Sequence, residues 1–507
     1  MMQTIWGPPV PEQTKHFAPL PFLQLDRASA TPLYLQLVQQ LRRMIQDGGI
    51  KPGQKLPSTR WLKEHQGIAR STLVAAFEQL ASEGYLQSRT GSGTFVNPEF
   101  PGLNLGTGNA AEAPQPPRLS QRGRAAAEGL DPTYFDPVRV RPFLANVPAI
   151  DLFPHKIWGR IENRIRNRLD SSMMAYGQPG GYAPLREAIC DHVLNRRGLK
   201  CSPGQVIVTN GSQQSLNLIA ALLLDPGGRV LMEDPSSPVV RLSFQAQGGT
   251  VVPVRVTETG AAVPQDGPQT DGARLAYLTP SCQYPLGAVM PIAQRLEWMD
   301  WARRKDAWLI EDDLDNEFMF GGRPDPAIYC DDHQGRTIYV SSFNNALFPS
   351  LRLGFIIAPL ALARPLMALS AITDRGPNTW LQAVLAEFIS QGHLSTHMRR
   401  MHSAYVRRRR AMISSFDRIA SPHVSLRQNT SGLRVIADLP PGTRDMDVLD
   451  RLDGQGLSAY ALSYYCMQRQ DLNGLLLGFG CTHEDDIPTA VKKLCACLSA
   501  GLPAKEG

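Results

Sequence analysis

The spacing of apolar residues predicts a row of short helices near the start of the chain. The first helix carries one apolar stripe that recurs every four residues, at Leu33, Leu37, Leu41 and Ile45. Gly48 and Gly49 end this helix, because glycine disfavours its continuation. Ser58 then precedes a short predicted helix through Leu62, and Gly67 supplies the turn that follows.

A third predicted helix, 71–83, turns three apolar side chains inward: Leu73, Phe77 and Leu80. Two short extended runs follow at 85–88 and 94–96, and the glycine-rich turn Thr90-Gly-Ser-Gly93 separates them. Three helices and a β-wing form a winged helix-turn-helix, a fold that places one helix in the major groove of DNA. We therefore interpret 31–97 as a DNA-binding domain.

Beyond residue 143 the pattern changes to short β-rich runs that alternate with longer helical ones. Seven runs are strand-like: Gln205 to Thr209, Arg229 to Glu233, Thr250 to Val254, Leu275 to Leu278, Trp308 to Asp312, Thr337 to Ser341 and Leu353 to Ile357. Such alternation predicts an α/β domain over 143–500 with a mostly parallel sheet, whose ligands gather at the carboxyl ends of the strands. A smaller terminal subdomain is expected to begin near Leu360.

Length and composition agree with two domains joined by a linker. The chain has 507 residues, more than a single core normally organises, and 43% of them are hydrophobic. Segment 98–128 is rich in Pro, Gly, Ala and Gln, so we predict a linker there. Its basic part, Pro117 to Arg124, is either an extra phosphate contact or, in preference, a solvated tether or the first turn of the next domain. The run Arg407 to Arg410 continues a helical pattern, and we interpret it as a solvated helix face.

Charge, cysteine content and hydropathy narrow the class of protein. The net charge of +6 and the pI near 8.9 permit nucleic-acid binding without demonstrating it. The eight cysteines are scattered, with neither the paired spacing of a zinc site nor the pattern of a small secreted framework, so no metal site is predicted. The sequence starts without a signal-like segment and has no apolar run of about 18 residues. We expect a cytoplasmic protein that does not enter a membrane.

Three phrases in the first domain resemble the GntR family of DNA-binding regulators: Pro32 to Tyr34, Gly53-Gln-Lys-Leu-Pro-Ser-Thr-Arg60 and Gly91 to Val96. The resemblance implies that the protein binds a double-stranded DNA operator. The residues that the family pattern assigns to DNA contact are Arg60, Arg70, Ser71, Thr72, Gly91 and Gly93. Ala69 stands where the family usually has a capping serine, so capping of the third helix should be weaker.

The segment Thr209-Asn-Gly-Ser-Gln-Gln214 follows a predicted strand and opens a helix. Its backbone amides and the helix dipole therefore predict an anion site, to which Gly211, Ser212 and Gln213 would contribute. Ser342 and Arg352 would add a hydroxyl and a guanidinium to the same phosphate.

Taken in order, these positions resemble the cofactor site of fold type I aminotransferases. A GntR-type DNA-binding domain followed by an aminotransferase-like domain is typical of the MocR subfamily of bacterial transcription regulators. The sequence resembles that subfamily over nearly the whole chain. This resemblance implies a head-to-tail homodimer and pyridoxal 5'-phosphate as cofactor, with a small molecule as effector. Asp312 would then pair with the pyridine nitrogen, and Tyr176 would reach the cofactor phosphate of the neighbouring subunit.

Asn345 stands where the aminotransferase pattern has its cofactor-binding lysine. The stretch Tyr339 to Arg352 otherwise follows that pattern, but an amide nitrogen is neither basic nor nucleophilic and cannot form the Schiff base. Pyridoxal phosphate would thus be held noncovalently at best, and no catalytic residue is predicted. Three further phrases depart from the family at cofactor positions: Glu233-Asp-Pro-Ser-Ser237, Asp312-Asp-Leu314 and Ser281-Cys-Gln-Tyr-Pro285.

Three functions are compatible with these residues. The first is a regulator with a degenerate effector domain, which binds pyridoxal phosphate weakly, binds another small molecule or only dimerises. The second is a conventional regulator that retains pyridoxal phosphate noncovalently. The third is an active aminotransferase that its first domain attaches to DNA. The sequence disfavours the third, because the missing lysine is also the base that moves the substrate's proton.

Overall fold

A computed structural model divides the chain into two compact units, Met1–Pro117 and Arg118–Gly507. The structure describes residues 23–99, 118–130, 138–313, 318–320, 325–419, 424–427, 431–440 and 442–499.

The first unit is a winged helix-turn-helix, which confirms the predicted fold class. Its elements are α1 (Leu33–Gln46), α2 (Thr59–Gln66), α3 (Arg70–Ser82), β1 (Leu86–Arg89) and β2 (Gly93–Val96). The apolar stripe of α1 forms the centre of the core, since Leu37, Leu41 and Ile45 are fully buried. Helix α2 is one turn longer than predicted. It begins at the Ser58 cap, whose side chain accepts from the Trp61 amide, and ends at Gly67 in the left-handed region (φ 69°).

The wing is a tight antiparallel hairpin. Arg89 pairs with Gly93 at its tip, so Thr90, Gly91 and Ser92 form the turn. Gly91 and Gly93 have φ of 77° and 106°, a region that other residues seldom adopt. Gly93 is also closely packed, because a Cβ there would lie 2.9 Å from Cε of Lys55. These two glycines are therefore required by the turn itself.

The second unit is built on an eight-stranded, mostly parallel sheet, as predicted. Its strands are β3 (Val206–Thr209), β4 (Arg229–Asp234), β5 (Thr250–Thr257), β6 (Gly260–Ala261), β7 (Ala273–Leu278), β8 (Trp308–Asp312), β9 (Thr337–Ser342) and β10 (Gly354–Ile357). The strand order is β3-β10-β9-β8-β7-β4-β5-β6. Only β6 and β10 run antiparallel to their neighbours.

Helices cover both faces of this sheet, as a parallel sheet requires. The helices of the second unit are α4 (Gln121–Glu128), α5 (His155–Arg166), α6 (Ser171–Met174), α7 (Ala183–Arg197), α8 (Ser212–Leu223), α9 (Pro238–Ala246), α10 (Ile292–Lys305), α11 (Ile328–Asp331), α12 (Leu360–Thr373), α13 (Thr379–Ser390), α14 (His393–Ile419), α15 (Met446–Gly454) and α16 (Ile487–Ser499). Val206 and Val208 of β3 pack towards α5, α7 and α13, whereas Ile207 packs towards α8, α9 and α12. The side chains of each strand thus enter two separate cores.

A smaller antiparallel sheet follows, formed by β11 (Ser425–Arg427), β12 (Arg434–Asp438), β13 (Tyr460–Ala461) and β14 (Gly474–Gly478). It begins later than the predicted boundary near Leu360. Helix α12, which starts at Leu360, still packs on the large sheet through Leu362 and Leu366. Helix α14 joins the two parts, since Met398 belongs to a core of the large sheet and Met401 to that of the small one.

The predicted linker, 98–128, contains regular structure in its last third. Residues 121–128 form α4, which Ser120 caps by accepting from the Gly123 amide at 3.0 Å. This helix packs against α9, and a Cβ on Gly129 would overlap Leu242. Of the two preferred interpretations of the basic segment, a solvated tether or the first turn of the next domain, the second agrees with this packing.

The interpretation of Arg407 to Arg410 as a solvated helix face is wrong for part of the run. The Arg408 side chain is only 1% exposed, and its Nη2 lies 2.6 Å from Oδ2 of Asp151. It also donates to the Gly480 carbonyl and lies 3.6 Å from a carboxylate oxygen of Glu484. Because the carboxylates come from segments distant in sequence, the local charge pattern gave no sign of this burial.

We expect Arg408→Met to destabilise the second unit by about 3 kcal/mol, since it removes one partner of a buried ionic network. The matched control is Arg410→Met, on the exposed side of the same helix, which should change stability by less than about 0.5 kcal/mol. Urea unfolding of the full chain measures both. Equal stability of the two variants would contradict the structural role of Arg408.

Candidate functional site

The site is organised by β10, which lies between β3 and β9. Gly354, its first residue, pairs with Thr209 at the end of β3 and with Ser342 at the end of β9. The carboxyl ends of two strands that are distant in sequence thereby lie at the same edge of the sheet, one on each side of Gly354. This is the edge at which α/β proteins bind ligands.

Helix α8 begins at this edge without a side-chain cap. Its N-cap residue is Gly211, with φ 83°, so no side chain accepts from the first amides of the helix. The backbone N–H groups of Ser212 and Gln213 are therefore available to an anion, aided by the helix dipole. The Gln213 side chain points elsewhere: it donates to the Val239 carbonyl at 3.2 Å and to Ser243.

Ser342 and Arg352 are the other two residues of the predicted anion site. Ser342 is 3% exposed, and its Oγ has no hydrogen-bond partner within the described part of the chain. Arg352 adopts a left-handed backbone (φ 54°) and donates from Nη2 to the Asn210 carbonyl at 2.8 Å. A Cβ on Gly211 would lie 3.4 Å from its guanidinium. We call the α8 amino terminus with Ser342 and Arg352 the phosphate cradle, since its donors fit a phosphate group.

Asp312 lies at the carboxyl end of β8, the strand next to β9. It is buried and accepts a hydrogen bond from the Tyr277 hydroxyl at 2.8 Å. Its neighbour Asp313 forms a buried ion pair with Arg197 at 2.8 Å and accepts from Tyr339 at 2.6 Å. Sequence reasoning missed Tyr277 and Arg197, because neither belongs to a sequence motif on which the family resemblance rests.

Asn345 lies in the connection between β9 and β10 and is 4% exposed. The loop is anchored by its apolar residues, since Phe343 and Leu347 are in the core and the Leu347 amide donates to the Phe343 carbonyl at 2.9 Å. The side chain at this buried position is a carboxamide. Leu314, another departure noted in the sequence, lies outside the described residues.

Tyr176 does not line the cradle of its own chain. It is 80% exposed, and the guanidinium of Arg375 lies 4.2 Å from the centre of its ring. The adjacent Asp374 accepts from the side chains of Asn210, at 2.8 Å, and Gln214. Asp374 and Arg375 therefore link the exposed tyrosine to the loop that forms the cradle.

The Ser281-Cys-Gln-Tyr-Pro285 segment packs against an arginine that the sequence did not single out. Arg434 of β12 is buried, with its guanidinium 4.4 Å from the ring centre of Tyr284 and Nη2 3.8 Å from Sγ of Cys282. The Tyr284 hydroxyl donates to Tyr465 at 3.1 Å. Contacts between the small and the large sheet thus surround this departure from the family pattern.

Glu233, the penultimate residue of β4, is buried, with 1% of its surface exposed. Its Oε1 accepts from the Thr279 amide at 3.0 Å, and its Oε2 accepts from the Thr279 hydroxyl and from Gln283. Burial raises the pKa of Glu233 to about 7, although these hydrogen bonds oppose the shift. The carboxyl is therefore protonated more readily than a solvated glutamate.

Five of the six residues predicted to contact DNA are exposed on the first unit, and Thr72 is half-buried. Arg60 in the first turn of α2 and Arg70 at the start of α3 are exposed, and Arg60 forms a solvated pair with Glu64. Ser71 is exposed and Thr72 half-buried on the first turn of α3. Ala69 is the N-cap of α3 and supplies no side-chain hydrogen bond, as the sequence indicates.

Two further cations lie beside the wing: Arg89 at the end of β1, which the sequence also indicates as well placed to meet phosphate, and Lys55 before α2, which sequence reasoning did not assign to DNA. The guanidinium of Arg89 lies 5.1 Å from the ring centre of Phe95, and Nζ of Lys55 lies 5.8 Å from it. Both charges therefore sit beside the hairpin.

Within the described ranges no cluster of three or more His, Cys, Asp or Glu residues has the arrangement of a metal site. The helices in those ranges are all too short or too polar to cross a membrane.

Two family models match the chain and divide it as the fold does. Residues 33–96 match bacterial regulatory proteins of the gntR family, and residues 154–467 match aminotransferase class I and II. The probable rhizopine catabolism regulatory protein MocR of Rhizobium meliloti is 35% identical, over 90% of this chain and 92% of its own length. The HTH-type pyridoxine biosynthesis transcriptional regulator PdxR of Corynebacterium glutamicum is 30% identical, over 94% and 99%.

Among solved structures, the α-aminoadipate aminotransferase LysN of Thermus thermophilus superposes with a TM-score of 0.67 at 24% identity, covering 75% of this chain and 97% of that one. This likeness establishes the fold of the second unit. Fold and site together define a class of transcription regulator in which a winged helix-turn-helix precedes an aminotransferase-like domain. Within that class, the chain belongs to the MocR subfamily of GntR-type regulators.

The raised pKa of Glu233 predicts a pH-dependent contribution to stability. A carboxyl whose folded pKa is raised stabilises the fold most below its unfolded pKa of 4.5, and this contribution is lost as the pH rises through about 7. The wild type should therefore lose up to about 3 kcal/mol relative to Glu233→Gln between pH 4.5 and 8. Thermal unfolding across this range measures the difference. The exposed control Glu297→Gln should keep a constant offset from the wild type, and a constant offset for Glu233→Gln would contradict the prediction.

Proposed function

We propose that this protein is a DNA-binding transcription regulator whose aminotransferase-like domain does not catalyse amino transfer. One observation carries the proposal: Asn345, buried in the loop between β9 and β10, stands where the aminotransferase sequence pattern has its cofactor-binding lysine. A carboxamide supplies neither the amine that would anchor the coenzyme nor the base that would move a substrate proton. The same substitution therefore removes both roles.

The DNA-binding half of the proposal rests on the exposed cations of the first unit. Arg60 and Arg70 stand at the amino termini of two successive helices, where a helix-turn-helix meets the phosphate backbone. Ser71 and Thr72 follow on the first turn of α3, the helix that would enter the major groove of the operator. Gly91 and Gly93 let the wing approach the DNA closely.

The phosphate cradle supports a second function, that of a regulator which retains pyridoxal phosphate without a covalent bond. The amides of Ser212 and Gln213, the Ser342 hydroxyl and the Arg352 guanidinium would hold the phosphate, and Asp312 would face the ring nitrogen. When bound in an aminotransferase, this coenzyme serves as an electron sink for bonds at the substrate's α-carbon. Here the cradle would only bind it, or another phosphorylated effector. A domain that solely dimerises is the remaining alternative.

The surface around Tyr176 supports a head-to-tail homodimer. Tyr176 and Met174 are 80% and 77% exposed, although both are large and apolar or aromatic. Such side chains at one place mark a surface that a partner covers. In a dimer of this kind Tyr176 would reach the partner's phosphate cradle. The two DNA-binding domains would then read two half-sites about 10 bp, or a multiple of that, apart.

For DNA binding, we expect Arg70→Ala to weaken affinity for a footprinted upstream duplex by roughly 10- to 100-fold, because a charged contact at the groove is lost. Fluorescence anisotropy of the labelled duplex with the full chain measures this effect. Arg43→Ala, an exposed arginine on α1, is the matched control and should bind like the wild type. Equal affinity of all three proteins would remove Arg70 from the interface.

For the coenzyme, we expect no covalent adduct in the native chain. Full-length protein is mixed with one equivalent of pyridoxal phosphate, treated with borohydride and mapped by peptide mass spectrometry. The wild type should carry no phosphopyridoxyl group on a lysine, whereas Asn345→Lys should be labelled at position 345, because it places an amine beside the cradle. A labelled lysine in the wild type would overturn the proposed loss of the anchor.

A further inference from the structure

Two half-buried cysteines lie in contact near the amino end of the large sheet. Cys190 is in the middle of α7, and Cys201 lies three residues beyond Gly198, the left-handed residue that ends this helix. The Sγ of Cys201 donates to the Sγ of Cys190 across 3.4 Å. The sulfurs of Cys330 and Cys466 donate instead to backbone carbonyls.

The two thiols differ in their surroundings. Cys190 accepts the S–H of Cys201, and Arg186 stands one turn earlier on the same helix. The hydrogen bond from Cys201 lowers the pKa of Cys190, with help from the charge of Arg186 and against burial and Asp191. Donating that bond raises the pKa of Cys201. Cys190 is thus the better nucleophile of the pair.

The chain on both sides of the pair is well held. The Gly198 amide donates to Leu194, and Leu199 donates to Val193, which fixes the turn after α7. Beyond Cys201, the Gln205 side chain donates to Tyr329 at 2.8 Å just before β3 begins. The sulfurs are therefore kept side by side by the fold, 3.4 Å apart, against a disulfide bond length of about 2 Å.

We propose that Cys190 and Cys201 form a site of reversible oxidation, at which a hydroperoxide converts the two thiols into an intramolecular disulfide. The Cys190 thiolate attacks one peroxide oxygen, the O–O bond breaks, and the departing alkoxide takes up a proton to leave as an alcohol. Cys190 then carries a sulfenic acid. The sulfur of Cys201 attacks this sulfur, and the displaced hydroxide leaves as water with the Cys201 proton. Two thiols have lost two electrons, and the peroxide has gained them.

This bond would tie the second half of α7 to the segment that leads into β3. The same strand ends at Thr209, immediately before the phosphate cradle. Oxidation would thus restrain the connection on the far side of the strand from the ligand-binding edge. A dithiol reductant reverses the reaction by exchange at the disulfide.

The test uses the full-length, reduced protein and one equivalent of hydrogen peroxide. Free thiols are then blocked with N-ethylmaleimide, and the chain is digested with trypsin without reduction. Because Arg196, Arg197 and Lys200 lie between the two cysteines, trypsin separates them, and only a disulfide keeps their peptides together. We expect a linked pair two hydrogens lighter than the sum of the two peptides, which dithiothreitol separates.

Two serine variants serve as matched controls, with folding checked by circular dichroism. Cys190→Ser should abolish the linked pair and leave Cys201 open to alkylation. Cys330→Ser, at a half-buried cysteine with a carbonyl partner, should retain the linked pair in wild-type yield. The proposal fails if the wild type gives no linked pair while its other cysteines oxidise, or if Cys190 links to Cys330. It also fails if Cys190 proceeds to sulfinic or sulfonic acid without a bond to Cys201.

Discussion

The close approach of β10 to the start of α8 is the constraint on which the ligand-binding edge depends. Gly354 pairs with the ends of two strands at once, and a Cβ there would lie 2.9 Å from the Gly211 backbone and 3.0 Å from the Ser341 carbonyl. No other residue fits without moving one of the three segments. Because Gly354 keeps these segments close together, the first turn of α8, Ser342 and Arg352 lie at the same edge of the sheet. The positions of the hydrogen-bond donors at this edge therefore depend on the packing around Gly354.

The loop that carries Asn345 is anchored by its apolar residues. Phe343, Ala346 and Leu347 are all in the core around the large sheet, so apolar contacts hold the loop in place. Asn345 itself is buried in the middle of this loop, with 4% of its surface exposed. The buried ion pair of Arg197 and Asp313 similarly fixes the chain just beyond β8.

The sequence predicted those parts of the fold that local patterns determine. The stripe on α1 and the seven strand-like runs follow from the period of the apolar residues, and the winged helix follows from their order. Contacts between distant segments were not predictable in this way. The hydrogen bond from Tyr277 to Asp312 joins two strands, and Arg408 is buried by carboxylates far from it in sequence. The smaller subdomain was expected to begin near Leu360, although α12 still packs on the large sheet, because α12 has the same helical pattern whichever sheet it covers.

Within the predicted site, the sequence identified residue types better than side-chain directions. Gly211, Ser342 and Arg352 converge as the anion-site motif suggests, because backbone geometry brings them together. Gln213 instead turns its amide towards α9, which depends on neighbours that a single sequence does not display. Tyr176 faces outward from its own chain, the direction that a contact with a neighbouring subunit would need.

The aromatic ring of Phe95 in the wing affects the free energy with which this hairpin would bind a polyanion. Long cationic side chains normally lose about 2 kcal/mol of rotamer freedom when they are fixed against a ligand. Lys55 and Arg89 already rest beside Phe95 in the folded domain, so part of that loss is incurred during folding and not during association. A small hairpin of four-residue strands can thereby present ordered positive charge without the support of a larger sheet.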